Sequence, residues 1–281
     1  MPIVSKLRTP VPTALPTLFA ALLLGAAGLQ GAAAQTATSP EAAAAAAQSS
    51  WPGLRADLFG ETPLVEGTSV VTLEAPARAA DPALVPIDLV LDPAAKIRKV
   101  TLVIDENPSP VAATFTIGES AGLTRLSTRV RVNAYTDIHA VAEAEDGTLY
   151  MTKRFVKAAG GCAAPAAKDP EQAAREMGQM KLREFAAKDG LAEAQLMIRH
   201  PNNSGLQKDQ VTLLYIPAHF ITDLSVERDG TPIFSMSGGI SISEDPSFRF
   251  TYAGPSSGPF HARGVDTEGK VFEKTFQQSE S

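Results

Sequence analysis

The sequence predicts an all-β protein made of two β-sandwich domains joined by a short, partly helical linker. Three observations predict this fold. Short runs of β-forming residues recur along both halves, turn residues separate these runs, and one segment between the halves starts like a helix. A chain of 281 residues is also long enough for two modest domains, each with its own core.

The first half, residues 51–162, carries clear strand signals. Apolar and polar side chains alternate in several runs, so one face of each strand is expected to pack on a core while the other faces water. Asp146-Gly147 separates the last two runs and predicts a β-hairpin. The expected strands are residues 69–73, 85–91, 100–105, 114–117, 128–132, 138–144 and 148–156.

The linker, residues 163–190, begins with a helix signal. Asp169 is a good N-cap, Pro170 suits the first helical position, and Gln172 stands three residues after the cap. We expect this helix to run to about residue 188 and Gly190 to end it.

The second half, residues 191–281, returns to strand signals. With an offset of 122 positions, Ile138-His139-Ala140 aligns with Phe260-His261-Ala262. Two unrelated hairpins that obey the same turn rules would explain this match, and so would two sandwiches of one type. The expected strands are residues 194–198, 211–215, 220–226, 232–234, 248–250, 260–265 and 271–272, with turns at Asp229-Gly230 and Glu268-Gly269.

The N-terminus has the three-part pattern of a secretory signal peptide. Lys6 and Arg8 form a positive region, an apolar stretch follows, and the small residues end at Ala34. The clean apolar core, residues 18–29, is too short to span a bilayer. We therefore expect a signal peptide over residues 1–34, export of the chain, and no membrane insertion after cleavage. Residues 35–50 are expected to form a disordered tail.

Charge and motifs argue against several classes of function. Removal of residues 1–34 leaves 23 basic and 31 acidic side chains, a formal net charge of −8 that disfavours nucleic-acid binding. Residues 118–122 match the G-x-S-x-G nucleophile elbow, but the alternating run that follows predicts a hairpin loop instead of the helix that this motif needs. No phosphate-binding or dinucleotide fingerprint occurs, and no two histidines have the helical spacing of zinc ligands. We expect no catalytic site, cofactor or metal, with a metal site assembled by the fold left open.

Cys162 is the only cysteine in the chain. Every other residue of segment 158–164, called here the cysteine arm, is Gly or Ala, so we expect an unshielded sulfur on an arm that Gly160 and Gly161 make flexible. An odd cysteine in an exported protein indicates a reactive thiol or an intermolecular partner. A flexible linker with an incidental cysteine is the alternative. Three basic residues are near in sequence and would favour the thiolate if they approached it: Arg154, Lys157 and Lys168.

The chain resembles a known family, the SoxYZ-like sulfur carriers. Its first half resembles SoxY, the cysteine-bearing subunit of the bacterial thiosulfate-oxidation carrier, and its second half resembles SoxZ, the partner subunit. The first resemblance rests on residues 85–87, 111–115, 128–131 and 140–143 and on Gly160-Gly161-Cys162. The second rests on residues 200–201, 204–206, 216–217, 220–221 and 242–243 and on Pro246, Phe248 and Phe250.

The resemblance implies two immunoglobulin-like β-sandwiches that pair within one periplasmic chain. It also implies that Cys162 holds sulfur intermediates covalently while separate enzymes act on them, so that the chain has no catalytic machinery of its own. In the family the cysteine arm ends the chain and has glycines on both sides. Here Ala163-Ala164-Pro165 replaces the trailing glycines and the chain continues.

The fused layout resembles the SoxYZ-like carriers associated with quinoprotein alcohol dehydrogenases, which use pyrroloquinoline quinone. The expected partners are therefore periplasmic redox enzymes, either such a dehydrogenase or Sox-type enzymes. The alternative function is a module that docks on a periplasmic quinoprotein dehydrogenase, or binds a small molecule, without a covalent bond.

Overall fold

Two β-sheets form the body of the protein and confirm the predicted all-β class. The computed structural model describes residues 49–167, 169–255 and 257–277. The predicted signal peptide, residues 1–34, and residues 35–48 of the predicted tail lie outside this part of the chain, as does Lys168. In the described part, no helix is long and apolar enough to cross a membrane.

The first half begins with a short helix and continues with eight strands. The hairpin predicted around Asp146-Gly147 joins β7 to β8, and the strand predicted over residues 85–91 has those bounds. The elements are α1 (Trp51–Phe59), β1 (Leu64–Glu66), β2 (Val71–Glu74), β3 (Val85–Leu91), a 3-10 turn (Pro93–Ala95), β4 (Ile97–Ile104), β5 (Val111–Ile117), β6 (Leu123–Val130), β7 (Thr136–Ala144) and β8 (Leu149–Val156).

The second half follows a second short helix and has seven strands. They are β9 (Met180–Lys188), β10 (Leu191–Ile198), β11 (Ile221–Arg228), β12 (Thr231–Gly238), β13 (Ser247–Tyr252), β14 (Phe260–Asp266) and β15 (Val271–Phe276), after α2 (Pro170–Glu176). The predicted turns at Asp229-Gly230 and Glu268-Gly269 join β11 to β12 and β14 to β15.

Both sheets run through both halves. One sheet has the order β1-β8-β7-β4-β5-β12-β11-β14-β15 and the other β2-β3-β6-β13-β10-β9. The halves join where β5 pairs with β12 and β6 pairs with β13, both antiparallel. The strand order from this seam outward is the same on each side, β5-β4-β7-β8 against β12-β11-β14-β15. This repetition supports two sandwiches of one type as the reason for the offset match in the sequence.

The interior is one continuous core. The expectation of a separate core for each half is wrong, because the buried apolar side chains of both halves form a single cluster. Phe115 of the first half contacts Phe234 and Phe248 of the second, each pair with ring centroids 6.3 Å apart. All three rings are fully buried, so the seam is packed like the rest of the interior.

Two predicted elements differ from the structure. α2 begins at Pro170, after the predicted Asp169 N-cap, but it ends at Glu176 and not near residue 188, because Met177 has extended backbone angles and Gly178 has a φ of +83°. Residues 180–188 instead form β9, which pairs with β10 through a two-residue turn at Asp189-Gly190. Gly190, predicted to end a helix, is therefore the second residue of a hairpin turn.

The strand predicted over residues 211–215 is an exposed turn. Asp209 Oδ1 accepts hydrogen bonds from the backbone N–H groups of Val211 and Thr212, at 3.1 and 2.6 Å, and Leu213 has a φ of +59°. This local turn chemistry overrides the β propensity of the run. Val211 is 90% exposed, and Leu213, Leu214 and Tyr215 are also exposed.

Candidate functional site

The cysteine arm lies docked on the body of the protein. After β8 ends at Val156, the N–H of Gly160 donates to the carbonyl of Asn133 at 2.8 Å and that of Gly161 to the carbonyl of Val132 at 3.1 Å. The N–H of Ala163 donates back to the Gly160 carbonyl at 3.2 Å. These bonds run along the chain that follows β6, and they hold the arm that the sequence predicts to be flexible.

The two glycines allow this docking for different reasons. Gly160 has a φ of +78°, which residues other than glycine rarely adopt. A Cβ on Gly161 would lie 2.1 Å from the carbonyl oxygen of Pro82 and 2.6 Å from that of Val132. Gly161 therefore permits a close approach of two backbones, a use of glycine that the sequence reasoning did not consider.

Cys162 is buried in this arrangement, and the expectation of an unshielded sulfur is wrong. Its exposed fraction is 0%. Burial raises the pKa of the thiol to about 11, against the lowering effect of the Arg131 charge. The thiol is consequently neutral at physiological pH in this position. The charge that favours the thiolate comes from Arg131, which the sequence reasoning did not single out, while Lys168 lies outside the described residues.

Arg131 is a buried cation beside the arm. It is 1% exposed, its Nη1 donates to the carbonyl of Gly161 at 3.3 Å, and its Nη2 donates to the carbonyl of Asn202 at 3.4 Å. Its buried Nε has no hydrogen-bond partner among the residues that the structure describes. Burial lowers the pKa of Arg131, opposed by the charges of Glu244, Cys162 and Asp81. Arg131 thus connects the arm to the second half.

Two side chains of the second half hold the arm directly. The hydroxyl of Ser204 donates to the carbonyl of Cys162, and Gln207 Nε2 donates to the carbonyl of Ala164 at 2.9 Å. The orientation of the Gln207 amide is set because its Oε1 accepts the N–H of Ser204 at 3.0 Å. Both side chains are buried. The sequence reasoning assigned no role to Ser204, Gln207 or Arg131, although all three lie in or beside the segments that resemble the family.

The exposed turn of the second half is connected to this site. The N–H of Ile216 donates to the carbonyl of Gln207 at 2.8 Å, and Lys208 pairs with Tyr215 in an isolated bridge. The turn therefore rises directly from the residue that holds Ala164.

Two clusters of histidine and carboxylate side chains are candidates for metal binding. In the first, His219 Nε2 lies 2.8 Å and His200 Nε2 lies 3.5 Å from Asp266 Oδ2. His200 Nδ1 accepts the backbone N–H of Asn202 at 3.1 Å, so neutral His200 carries its proton on Nε2. A protonated ring nitrogen has no lone pair to offer a metal ion. These three side chains therefore do not form a metal site while His200 carries its proton on Nε2.

The second cluster contains Asp105, Asp137 and His139. His139 Nδ1 lies 2.9 Å from Asp105 Oδ1, and Lys153 Nζ donates to Asp137 Oδ2 at 2.7 Å. Trp51 stacks on the His139 ring, with centroids 3.7 Å apart and planes 6° from parallel. These contacts attach α1 to the sheet and give the cluster a structural role.

A cavity of about 930 Å³ crosses the seam on the six-stranded sheet. Two of its arginines have partners: Arg129 Nη2 donates to the carbonyl of Asp245 at 3.2 Å, and Arg199 pairs with the carboxylates of Asp245 and Glu176 at 2.5 and 3.8 Å. These arginines are not free to recruit an anionic ligand, so the cysteine arm is the stronger candidate site.

The comparisons with known proteins agree with a fused chain of two related sandwiches. The family described as "Sulfur oxidation protein SoxY" matches residues 55–162, and the family described as "Sulphur oxidation protein SoxZ" matches residues 180–277. The chain thus combines a SoxY domain and a SoxZ domain of sulfur-oxidation proteins in one polypeptide. It belongs to the fused SoxYZ-like family.

Solved structures add a SoxY relative. The sulfur carrier protein SoxY from Chlorobium limicola f thiosulfatophilum is 25% identical, with a TM-score of 0.33, over 41% of this chain and 96% of that one. A β-glycosidase from Bacteroides vulgatus matches at 12% identity and a TM-score of 0.21, over 74% of this chain and 24% of that one. No curated protein sequence matches.

Proposed function

We propose that the protein carries sulfur intermediates covalently on Cys162 and presents them to separate enzymes. The proposal rests on the position at which the SoxY match ends. The match covers residues 55–162 and stops at the chain's only cysteine. A thiolate forms and exchanges bonds to sulfur without any other catalytic group, which is the chemistry that a sulfur carrier needs. The chain would then act as a carrier with no reaction of its own.

The docked thiol must leave its site to take part in this chemistry. With a pKa of about 11 and no exposed surface, Cys162 presents neither a thiolate nor access to a reagent. Thirteen residues separate the end of β8 at Val156 from the start of α2 at Pro170. Fully extended, such a segment spans roughly 40 Å, so its middle can move outward by up to about 20 Å while both ends stay anchored.

The setting of this carrier is part of the proposal. The signal-peptide pattern of residues 1–34 supports export to the periplasm. The fused layout supports partnership with a periplasmic redox enzyme, either a quinoprotein dehydrogenase that uses pyrroloquinoline quinone or Sox-type enzymes. The mixed, net acidic charge supports protein partners over nucleic acid.

Mass spectrometry of the intact protein tests the carrier function. Protein from the native host, grown on the substrate of the partner enzyme, is expected to carry sulfur adducts on Cys162 that dithiothreitol removes. Tetrathionate tests the chemistry in vitro: the Cys162 thiolate bonds to one inner sulfur, the bond between the inner sulfurs breaks, and thiosulfate leaves with the electron pair. Cys162→Ser is the control for both experiments. A native thiol that is never modified, with no growth defect in Cys162→Ser, would refute the proposal.

The burial of Cys162 favours a second candidate, a module that docks on a periplasmic dehydrogenase without covalent chemistry. The exposed apolar turn at residues 211–215 would suit such docking. Co-purification with a dehydrogenase that persists unchanged in Cys162→Ser, together with an unmodified thiol, is the result that selects this candidate.

A further inference from the structure

Within the described part of the chain, the hydrogen bonds that hold the cysteine arm do not involve the thiol. Ser204 and Gln207 bond to the backbone carbonyls of Cys162 and Ala164. The arm's own bonds are also made by backbone groups, the N–H groups of Gly160 and Gly161. The hydrogen bonds of the docked arm are therefore available whatever the sulfur carries, and docking depends on whether the side chain fits.

The thiol is buried in a part of the structure where the neighbouring backbone is closely packed. Cys162 is 0% exposed, and buried Arg131, Ser204 and Gln207 contact the adjoining backbone. The neighbouring Gly161 packs so closely against Pro82 and Val132 that it has no room for a methyl group. Added atoms in a packed site force the surrounding structure apart.

We propose that Ser204 and Gln207 are positioning residues that form a latch over the unloaded arm, and that a sulfur adduct on Cys162 opens this latch. The bare thiol is then protected from adventitious reagents, while the loaded arm is released for partner enzymes. The identity of the natural adduct rests on the proposed function, whereas the latch and its release by added atoms do not.

The latch lies where a partner can influence it. Gln207 is followed directly by the exposed apolar turn, whose base bonds back to the Gln207 carbonyl. A protein that displaces this turn would disturb the side chain that holds Ala164. Displacement of the turn by a partner protein would thus open the closed site so that the thiol can be loaded for the first time.

Hydrogen exchange on the full mature chain tests release by an adduct. The N–H groups of Gly160, Gly161 and Ala163 are expected to be protected in the reduced protein and to lose protection after loading. Two probes are used: tetrathionate, which leaves an anionic adduct, and methyl methanethiosulfonate, which leaves a neutral methylthio group. Protection that survives loading with either probe overturns the proposal. If it survives with tetrathionate alone, the proposal also fails, because Arg131 then holds the anionic adduct in the closed site.

Alkylation by iodoacetamide tests the latch. Ser204→Ala and Gln207→Ala are each expected to speed alkylation of Cys162 about fivefold, the effect of losing one hydrogen bond on the opening equilibrium. Ser204→Thr keeps the hydroxyl and should react like the wild type. Thr124→Val is the matched control, because it removes a hydroxyl-to-carbonyl bond between the halves, to Thr251, near the far end of β6. Equal rates in all five proteins would overturn the latch.

The pH profile separates positioning from general destabilisation. In the wild type the alkylation rate should continue to rise at pH values well above the ordinary thiol pKa, because the closed state holds the proton until about pH 11. In Ser204→Ala/Gln207→Ala the rate should level off nearer to pH 8.5, as for a free thiol. The charges that act around the thiol, those of Arg131, Asp81 and Glu244, are unchanged by these substitutions. An early plateau in the wild type would contradict a closed thiol.

The two proposals can fail separately. If the chemical probes open the arm but native protein never carries sulfur, the latch stands and the carrier function falls. If native protein carries sulfur on Cys162 while loading leaves the arm amides protected, the carrier function stands and the latch falls.

Discussion

The two halves of the protein have the same strand order but contribute different components to the cysteine site. From the seam outward each half repeats one pattern, with β5-β4-β7-β8 matched by β12-β11-β14-β15. The first half contributes the arm, the thiol and Arg131, while the second contributes Ser204 and Gln207, which bond to the arm. Similar sandwiches thus hold complementary halves of one site.

This difference explains what the fused chain gains from continuous sheets. A latch made by one half on an arm of the other requires that the halves keep a fixed relative position. The β5–β12 and β6–β13 pairs and the shared aromatic core provide that position. The SoxZ-like half is therefore part of the cysteine site as well as a partner of the SoxY-like half.

The largest expected effect comes from breaking the seam. Phe234→Ala should lower the free energy of unfolding by about 3–5 kcal/mol, because it leaves a cavity among fully buried rings. Trp51, the only tryptophan, lies in the first half, so its fluorescence reports on that half. Urea titration should show one transition, with the Trp51 signal shifted together with the circular dichroism.

Phe276→Ala is the control for the seam, since this ring is only partly buried on the edge strand β15. It should shift the same transition much less. A Trp51 transition that stays in place while Phe234→Ala unfolds the second half alone would show that the halves are independent.

The next prediction tests why position 161 is a glycine, either to keep the arm flexible or to let it dock closely. Gly161→Ala should speed alkylation of Cys162 by between about fivefold and 150-fold, because overpacking costs about 1–3 kcal/mol and here opens the arm. If Gly161 served flexibility, the same substitution would slow the reaction or leave it unchanged. The sign of the change is thus the result that matters, and it is measured with iodoacetamide at pH 8.

Gly147→Ala is the matched control for Gly161→Ala. Gly147 has a φ of +84° in the β7–β8 turn, and no described residue other than its two chain neighbours has an atom within 4 Å of where its Cβ would be. The substitution strains the backbone at a distance from the arm. It should reduce stability slightly without changing the alkylation rate.

Local signals in the sequence predict most of the fold and little of the site. Alternation and turn residues are sufficient for β3 and for the β7–β8 hairpin, because such elements depend on neighbouring residues. The signals at Asp169 and Pro170 predict where α2 begins, but its early end at Glu176 depends on residues 180–188 pairing with β10. This pairing is a hairpin whose turn, Asp189-Gly190, is itself a β-turn signal, and the helix expected over residues 169–188 took precedence over it.

The site depends on contacts that no local pattern records. Ser204 and Cys162 are 42 positions apart and belong to different halves. Alternation would place Arg131 in water with Arg129, but β6 ends at Val130 and Arg131 turns into the interior. The small residues of the arm predict mobility when read alone, and they permit close packing once the rest of the chain is present.

The smallest expected effect concerns His139 and His261, which correspond in the repeat. His139 is buried beneath Trp51, whereas the side chain of His261 is 35% exposed. Trp51→Leu keeps apolar surface but removes the stack, and should cost about 0.5–1.5 kcal/mol of stability. His261→Ala should change stability by less than about 0.5 kcal/mol. Urea titration followed by circular dichroism measures both changes in stability. An equal loss of stability in Trp51→Leu and His261→Ala would show that the stack of α1 on His139 does not distinguish the halves.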